Sequence, residues 1–380
     1  MIRFENVVKA YDETVAVDDL SLEAPSGKIT VFVGPSGCGK TTSLRMINRM
    51  IDPTSGRIWL DDRDTASINP AELRRGIGYV IQHAGLFPHR TVVDNVATVP
   101  MLLGVDRRTA RARAMELLER VGLPANFAKR YPAQLSGGQQ QRVGVARALA
   151  ADPPVMLMDE PFSAVDPVVR EQLQNEFLRL QSDLGKTIAF VTHDIDEAIK
   201  LGDTVAVMRV GGKLAQLATP AELLSHPADA FVAGFVGRDR GYRALGFAAA
   251  GSLPLAAEGV VAMGAPLRAA SDQAVDGWTL VVDAESKPLG WLASGGLADS
   301  ALSGSITPEL LNLGGTLATE AGTLREALDA ALSSPSGRGV IVHEDGSFAG
   351  TITASQVLTR IESRAADIRR DAVAKAGEPQ

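Results

Sequence analysis

The sequence predicts an α/β fold built on a parallel sheet, followed by a smaller α+β domain. Three apolar runs, ITVFV (29–33), VMLM (155–158) and IAFV (188–191), are continuous, which is typical of strands covered on both faces. A predicted helix separates the second and third runs, and this strand–helix–strand alternation favours parallel pairing. After about residue 240 the chain becomes rich in Ala, Gly and Ser, which indicates a second domain.

Length and charge limit the classes of protein to which the chain can belong. Its 380 residues exceed one ordinary domain, and a net charge of −7 argues against nucleic acid as the main partner. The single cysteine, Cys38, fits a reducing cytosol without disulfides. No signal peptide is expected from MIRFENVVKA, and the weakly polar stretch 244–270 is broken by Pro254, Glu258 and Pro266. We therefore expect any link to a membrane to run through a partner.

The first elements are predicted to be short strands and one helix. IRF and LSL alternate in polarity, as half-buried strands do, and the continuous run 29–33 follows them. The next segment carries Leu44, Ile47 and Ile51 at helical spacing and is ended by Asp52-Pro53.

The rest of the first domain is predicted to end near residue 237. Residues from about 88 to 150 have mostly helical character. Beyond the third apolar run, Gly211-Gly212 indicates a hairpin, and TPAE (219–222) indicates a helix with a capping box and Pro at its first position. FVGRDR (235–240) is the expected boundary.

The second domain contains a weak internal repeat with an offset of 57 to 60 residues. APLRAASDQAV (265–275) matches GTLREALDAAL (322–332), and TLVVDAESKPLGWLA (279–293) matches GVIVHEDGSFAGTITA (339–354). Each copy is predicted to be a helix followed by a hairpin, too small to bury a core alone. In the second copy, Thr323 and Glu326 cap a helix whose apolar face comprises Leu324, Ala327, Leu328, Ala331 and Leu332.

GPSGCGKTT (34–42) satisfies the phosphate-loop pattern and stands directly between a buried strand and a helix. Its glycines let backbone N–H groups close on phosphates, Lys40 brings a positive charge, and Thr41 offers a hydroxyl to Mg²⁺. A glycine turn that serves only packing does not account for the Lys-Thr pair. The predicted nucleotide contacts in this loop are Gly34, Pro35, Ser36, Gly37, Cys38, Gly39, Lys40, Thr41 and Thr42.

Further polar residues follow other predicted strands. At the end of VMLM, Asp159 is expected to hold Mg²⁺ through water and Glu160 to act as general base on the attacking water. His193 is expected to contact the γ-phosphate, and Gln82 to reach the metal and the water. Tyr11 is a candidate to stack on adenine. Taken singly, an acidic pair at a strand end, a histidine, a glutamine and a tyrosine are more often structural or surface residues.

The stretch LSGGQ, which begins at Leu135, places two glycines at the start of a predicted helix. Such a helix start binds anions through its free N–H groups and its dipole. Because the phosphate loop already binds one nucleotide, a second anion-binding helix start is useful only if it faces a nucleotide bound to another subunit. We expect two copies head to tail, with Ser136, Gly137, Gly138 and Gln139 of each capping the γ-phosphate held by the other. ATP then joins the two subunits, and hydrolysis releases them.

Six motifs, in this order, resemble those of the ATP-binding subunit of an ABC transporter. They are GPSGCGKTT, Gln82, LSGGQ, MDEP, SAVD (163–166) and His193. The resemblance covers residues 1–237 and implies a P-loop nucleotide-binding fold with an antiparallel β subdomain and a helical subdomain.

The resemblance also implies roles for individual residues. Tyr11 is then the aromatic that stacks on adenine, and residues 136–139 are the signature loop. Asp166 belongs to a loop that runs across the dimer, and SAVD differs from the commoner SALD by one apolar residue. The segment 85–100 corresponds to the region that receives a coupling helix of the membrane subunit.

MINRMIDPTSGRIWLDD, IGYVIQHAGLFPH and FVGRDR are similar to one subfamily, the ATPases of bacterial importers for glycine betaine, choline, carnitine and proline-like osmoprotectants. This similarity implies membrane permease subunits and, indirectly, a solute-binding protein as partners. It also implies a homodimer or ATPase pair at the cytoplasmic face of the membrane. Import of another small solute such as an amino acid, and a non-transport ABC ATPase, are the alternatives.

Members of that subfamily commonly carry two cystathionine-β-synthase-type (CBS) modules, which the repeat resembles. We expect a degenerate first module over 241–302, a second over 303–362 and a flexible tail over 363–380. The ribose-binding Asp of such modules is replaced by Gln356 in the second copy, and the first has Ala293 and Gly296 in place of hydroxyl and carboxylate. The tail has balanced charge. A ligand sensor and a structural dimerisation module therefore both stay open, as does a sensor with a vestigial ATPase.

Overall fold

The chain divides into two units, described from a computed structural model. The description covers residues 1–82, 85–163, 165–293, 304–312 and 315–376. The first unit is Met1–Arg238 and the second begins at Asp239. The sequence had placed the change of domain between residues 237 and 241.

The first unit consists of two sheets and the helices that cover them. Its strands are β1 (Ile2–Tyr11), β2 (Thr14–Ala24), β3 (Ile29–Val33), β4 (Ser55–Leu60), β5 (Arg63–Asp64), β6 (Ile77–Val80), β7 (Val155–Asp159), β8 (Thr187–Thr192), β9 (Thr204–Arg209) and β10 (Lys213–Ala218). Its helices are α1 (Lys40–Ile47), α2 (Pro70–Arg75), α3 (Val92–Val96), α4 (Thr98–Leu102), α5 (Arg107–Arg120), α6 (Gly137–Leu149), α7 (Pro167–Leu184), α8 (Ile195–Leu201), α9 (Pro220–Ser225) and α10 (Ala230–Val236).

The larger sheet has the strand order β10-β9-β3-β8-β7-β6. All its pairings are parallel except that of β9 with β10, which is the hairpin predicted at Gly211-Gly212. The three apolar runs form the adjacent strands β3, β8 and β7, and every residue of these strands is buried. Helices on both faces cause this pattern. The α/β fold class is confirmed, and the carboxyl ends of β3, β6, β7 and β8 meet at one edge.

The smaller sheet is antiparallel, in the order β2-β1-β4-β5, and packs on the larger one. Phe4 of β1 and Phe32 of β3 meet edge to face, with ring centroids 6.1 Å apart. The segment predicted to be mostly helical contains α3 to α6. Helix α1 is shorter than predicted, because Arg49 has a positive φ of 50° and the chain turns after Ile47. Ile51 lies beyond the helix, partly buried against the same core.

The second unit contains two three-stranded sheets that repeat one another. Its strands are β11 (Val260–Ala262), β12 (Trp278–Val282), β13 (Pro288–Ala293), β14 (Leu317–Thr319), β15 (Arg338–Val342) and β16 (Phe348–Thr353). Its helices are α11 (Arg240–Ala244), α12 (Leu267–Asp272), α13 (Leu324–Ser333) and α14 (Ala354–Ala376). Each sheet has one parallel and one antiparallel pairing, at equivalent positions. The sequence prediction lacked the short leading strands β11 and β14.

The two copies exchange their leading segments. Ala256, ahead of the first copy, pairs with Thr351 of the second, and Asn312, ahead of the second, pairs with Trp291 of the first. A joint core lies between the sheets, formed by Leu280, Val282, Trp291, Val340 and Val342. Each copy thus buries apolar surface that it could not cover alone.

Two details of the second copy differ from the sequence prediction. Leu332 is 66% exposed, although it was assigned to the apolar face of α13. It lies about 80° around the helix from Leu324, on the flank that turns away from the sheet. Of the predicted flexible tail, 363–380, residues 363–376 belong to α14, and residues 377–380 lie outside the described residues. No Pro or Gly occurs between residues 354 and 376, and Ala and Arg favour helix.

A buried ion pair joins the two copies. Arg338, at the start of β15, donates from Nε and Nη2 to both carboxylate oxygens of Glu258, at 2.7 and 3.1 Å. The same guanidinium donates to the carbonyl of Val275 and lies 5.1 Å from the centre of the Trp291 ring. Glu258 itself is buried. The fork-like geometry binds both copies through one side chain.

Arg338→Met is expected to destabilise the second unit by about 3–5 kcal/mol, because it leaves a buried carboxylate without its cation. Urea denaturation can follow this unit alone in a Trp59→Phe background, since the remaining tryptophans are Trp278 and Trp291. The double change Glu258→Leu/Arg338→Met is the control, and it is expected to recover most of the loss. Equal stability of the single variant and the parent would contradict the expectation.

Candidate nucleotide and catalytic site

The phosphate loop follows β3, and α1 begins at its Lys40. The Lys40 ammonium donates to the carbonyls of Gly34 and Pro35, at 2.8 and 3.0 Å, and is largely buried. A Cβ on Gly39 would lie 2.3 Å from the carbonyl oxygen of Ala16. A Cβ on Gly37 would meet nothing within 4 Å, so the loop is open on that side. The loop therefore keeps its charge inside a glycine-lined cradle with space for phosphate.

The hydroxyl of Thr41 donates to the Asp159 carboxylate at 2.9 Å, across the gap between α1 and the end of β7. Burial raises the pKa of Asp159, while the hydrogen bond from Thr41 and the charge of Arg45 oppose the rise. Within the described ranges no cluster of three or more His, Cys, Asp or Glu side chains could hold a metal. One hydroxyl and one carboxylate suit Mg²⁺, which keeps most of its ligands as water and phosphate oxygen.

Glu160 is the first residue after β7, and it has a positive φ of 47°. This conformation is uncommon for a residue with a side chain. Its N–H donates to the carbonyl of Val191 at 2.9 Å, which fixes it beside the end of β8. Its Oε2 lies 3.1 Å from Nδ1 of His193 and 3.3 Å from Nε2 of Gln82. Three residues far apart in sequence thus meet at one carboxylate oxygen.

Tyr11 ends β1, and its side chain is exposed. The ammonium of Lys9 lies 4.9 Å from the centre of its ring and donates to the carbonyl of Asp52 at 2.9 Å. A cation on one face of the ring holds the aromatic plane in place by electrostatic attraction.

The predicted signature loop stands at the start of α6. Ser136 Oγ accepts from the N–H of Gln139 at 3.3 Å, and Gln139 Oε1 accepts from the N–H of Ser136 at 3.0 Å. Ser136 and Gly137 are exposed. A Cβ on Gly138 would contact Val165 and Val169, so this helix start packs beside the segment that carries Asp166.

Arg45 was not predicted as a site residue, but its positive charge lowers the pKa of Asp159. Its signal was its spacing: Arg45 lies four residues after Thr41, on the same face of α1. Arg45 also lines a cleft of about 450 Å³ together with Gln82 and Asp159. The cleft adjoins the predicted metal ligands.

The segment 85–100 is organised by the buried side chain of Asn95. Its Oδ1 accepts from the N–H of Phe87 at 2.7 Å, and its Nδ2 donates to the carbonyls of Phe87 and Arg90. Phe87 is exposed, as are Leu102 and Leu103 beyond the segment. In the described parts of the chain, no helix has the length and apolar character needed to cross a bilayer.

The sequence profile of the ABC transporter family matches residues 17–163. The osmoprotectant import ATP-binding protein OsmV of Salmonella typhimurium is 43% identical, over 96% of this chain and 97% of that protein. The chain belongs to the ABC transporter family. It is an ABC-type ATPase, and its ligand is ATP.

Other relatives of this ABC ATPase match a smaller share of the chain. The carnitine transport ATP-binding protein OpuCA of Listeria monocytogenes is 53% identical, over 63% of this chain and 60% of its own length. The dimeric structure of the ATP-binding cassette MJ0796 bound to ADP and Pi is 34% identical, with a TM-score of 0.52, and covers 58% of this chain and 99% of that one. Its fold agrees with the α/β class assigned from the sequence.

In the second unit, Gln356 stands at the position that a ribose-binding Asp has in CBS-type modules, according to the resemblance. Its Oε1 accepts from the N–H and the hydroxyl of Thr353, and its own N–H donates to the Thr353 hydroxyl. Its Nε2 donates to the carbonyl of Pro254 at 3.3 Å. Gln356 therefore caps α14 and binds the chain's own leading segment. In the first copy Ala293 ends β13, and Gly296 lies outside the described residues.

Proposed function

We propose that this ABC ATPase powers the import of a quaternary-amine osmoprotectant, of the glycine betaine, choline, carnitine or proline type, through a partner permease. The main support is the meeting of the phosphate loop with Asp159, Glu160, Gln82 and His193 at one sheet edge. The 43% identity to an osmoprotectant import protein along nearly the whole chain supports the cargo class.

The phosphate loop is proposed to bind the ATP phosphates, with Lys40 as the cation among residues 34–42. Thr41 and Asp159 would hold Mg²⁺, with Gln82 beside them, and the ion would neutralise charge on the phosphate oxygens. Tyr11 is proposed to stack on adenine. The 2.9 Å contact between Thr41 and Asp159 supports the ion site, because it brings two oxygen ligands together.

Glu160 is proposed to take a proton from the water that attacks the γ-phosphorus, while the bond from that phosphorus to the bridging oxygen breaks. His193 would contact the γ-phosphate, and Gln82 would orient the water. Their distances of 3.1 and 3.3 Å to the Glu160 carboxylate support a shared task.

Each nucleotide is proposed to lie between two chains, either two identical copies or an ATPase pair. The signature loop, Ser136 to Gln139, of which Ser136 and Gly137 are exposed, would then face the phosphate loop of the partner. The dimeric cassette structure with ADP and Pi, at 34% identity, supports this arrangement. Asp166 would lie at the junction between the two chains.

The segment 85–100 is proposed to receive a coupling helix of the permease, which would hold the ATPase at the cytoplasmic face of the bacterial membrane. The loop organised by Asn95 and the exposed Phe87 support a docking surface. A solute-binding protein would act upstream of the permease. Residues 241–302 and 303–362 are proposed to be CBS-type modules, for which the exchanged leading segments and joint core are the support.

The experiment is uptake of radiolabelled glycine betaine in a bacterial strain without osmoprotectant uptake of its own. The strain expresses the chain together with the permease and the solute-binding protein of an osmoprotectant importer. Uptake above the empty-vector level is expected, and it should be absent with Lys40→Ala. Uptake of an amino acid but not of betaine, choline or carnitine would contradict the cargo class. Absence of any ATP-dependent uptake would contradict the transport role.

A further inference from the structure

We propose that the buried pair Gln174–Glu197 positions His193 for hydrolysis. Through this pair, contact of the Asp166 segment with a second protomer is transmitted to the His193 turn. The inference rests on the proposed function, because it uses the roles given there to His193 and Asp166.

Gln174 and Glu197 lie on different helices, and neither residue belongs to the proposed nucleotide site. Gln174 belongs to α7, which begins one residue after Asp166, and Glu197 belongs to α8, which begins two residues after His193. Each is only 6% exposed, and Gln174 Nε2 donates to Glu197 Oε1 at 3.1 Å. A buried carboxylate away from ligands needs such partners, and none of the catalytic roles above uses this one.

Glu197 is joined directly to the turn that carries His193. The hydroxyl of the buried Thr192 accepts the N–H of Asp194 at 3.0 Å, and its own hydrogen bond to Glu197 lowers the pKa of that carboxyl. A hydroxyl has one hydrogen and two lone pairs, so it can make both bonds at once. Burial raises the pKa of Glu197, and the hydrogen bonds from Thr192 and Gln174 oppose the rise. Hydrogen bonds therefore connect Thr192 and Asp194, the residues on either side of His193, through Glu197 to α7.

Arg170 forms a second connection between the same two segments. Its Nη2 donates to the carbonyl of Val165 at 3.1 Å, and its N–H donates to the carbonyl of Asp166 at 2.8 Å. Its Nη1 lies 3.9 Å from Oδ2 of Asp194. The other carboxylate oxygen of Asp194 accepts the first N–H groups of α8. One arginine thus touches both the residues before α7 and the cap of α8.

The two connections link the Asp166 segment to the His193 turn through α7 and α8. Ser163 is also bonded to Glu160, since its hydroxyl and its N–H donate to the Glu160 carbonyl, at 2.9 and 3.2 Å. A displacement of Asp166 by a partner would therefore move His193 and not be absorbed in a loose loop. Hydrogen-bond networks and rigid secondary elements are the physical routes along which coupling between two sites is carried.

Gln174→Leu is expected to lower kcat for ATP hydrolysis about tenfold, because His193 is no longer held in the position that hydrolysis needs. KM for ATP and ATP-dependent dimerisation are expected to stay as in the parent chain, since the phosphate loop, Tyr11 and the signature loop are untouched. A loss of kcat without a change in KM separates positioning from a general loss of folded structure.

Gln181→Leu is the matched control, on the same helix. Gln181 is 9% exposed, and its amide also donates two hydrogen bonds, to the carbonyls of Gly27 and Lys186. The control removes the same group from a comparably buried position away from His193, so kcat is expected to stay near the parent value. Thermal unfolding of both variants measures any difference in stability.

The exchanged pair Gln174→Glu/Glu197→Gln provides the rescue. The new amide at 197 can donate to the new carboxylate at 174 and still accept from Thr192, so most of the lost kcat is expected to return. The proposal is overturned if Gln174→Leu and Gln181→Leu have equal kcat, or if kcat and ATP affinity fall together. If the parent chain itself neither dimerises with ATP nor hydrolyses it, the proposed function fails instead.

Discussion

Glu160→Gln is expected to reduce ATP turnover by about two to four orders of magnitude while ATP binding is kept. The amide has nearly the shape of the carboxylate, but it cannot accept a proton from the attacking water. The contacts of Lys40, Thr41 and Asp159 do not involve the changed group. Because ATP would bind without being consumed, the two protomers are expected to stay joined.

Phosphate release and size-exclusion chromatography with ATP and Mg²⁺ measure the two halves of this expectation. The matched control is Glu72→Gln on α2, an exposed residue paired with Arg63 and far from the sheet edge. It is expected to hydrolyse ATP at the parent rate and to elute as a monomer once the nucleotide is spent. Turnover by Glu160→Gln at the control rate would show that another group is the base.

Much of the site can be predicted from the sequence because its residues directly follow the ends of strands. The strands that end at Val33, Asp159 and Thr192 contain short continuous apolar runs, so a parallel sheet could be predicted from them. Parallel strands have their carboxyl ends on one side. The phosphate loop, Glu160 and His193 therefore come together by topology, whatever the details of packing.

Features that depend on contacts between distant elements could not be predicted in this way. The pair Gln174–Glu197 joins α7 and α8, which are separated along the chain by β8. Neither residue belongs to one of the sequence motifs. The exposed flank of α13 at Leu332 depends on the direction from which the sheet approaches the helix. Helical periodicity identifies an apolar face, but it leaves the residues at the edges of that face undecided.

The helical character of residues 363–376 was missed for a different reason. Balanced charge and a position near the end of the chain suggested a flexible tail, whereas continuous good helix formers extend α14 from its Thr353–Gln356 cap. For this segment, the helix cap and the helix propensity of its residues predict the structure better than the charge balance does.

Ser136→Arg in only one protomer of a dimer is expected to abolish nucleotide capture in the partner's phosphate loop and to leave the variant's own loop loaded. Ser136 caps its own helix and is exposed, so it can meet a phosphate group of a second chain. An arginine at this position removes the cap and fills the space that the γ-phosphate would need.

Mixed dimers of two differently tagged protomers, both carrying Glu160→Gln, allow the measurement. A photoreactive ATP analogue is cross-linked, and the label is read on each tag separately. Thr219→Arg is the matched control, because Thr219 forms the same kind of capping box with Glu222 at the start of α9. That control is expected to leave both loops labelled. Loss of label from the Ser136→Arg protomer itself would mean that signature loop and phosphate loop serve the same nucleotide within one chain, and the two-chain site would have to be abandoned.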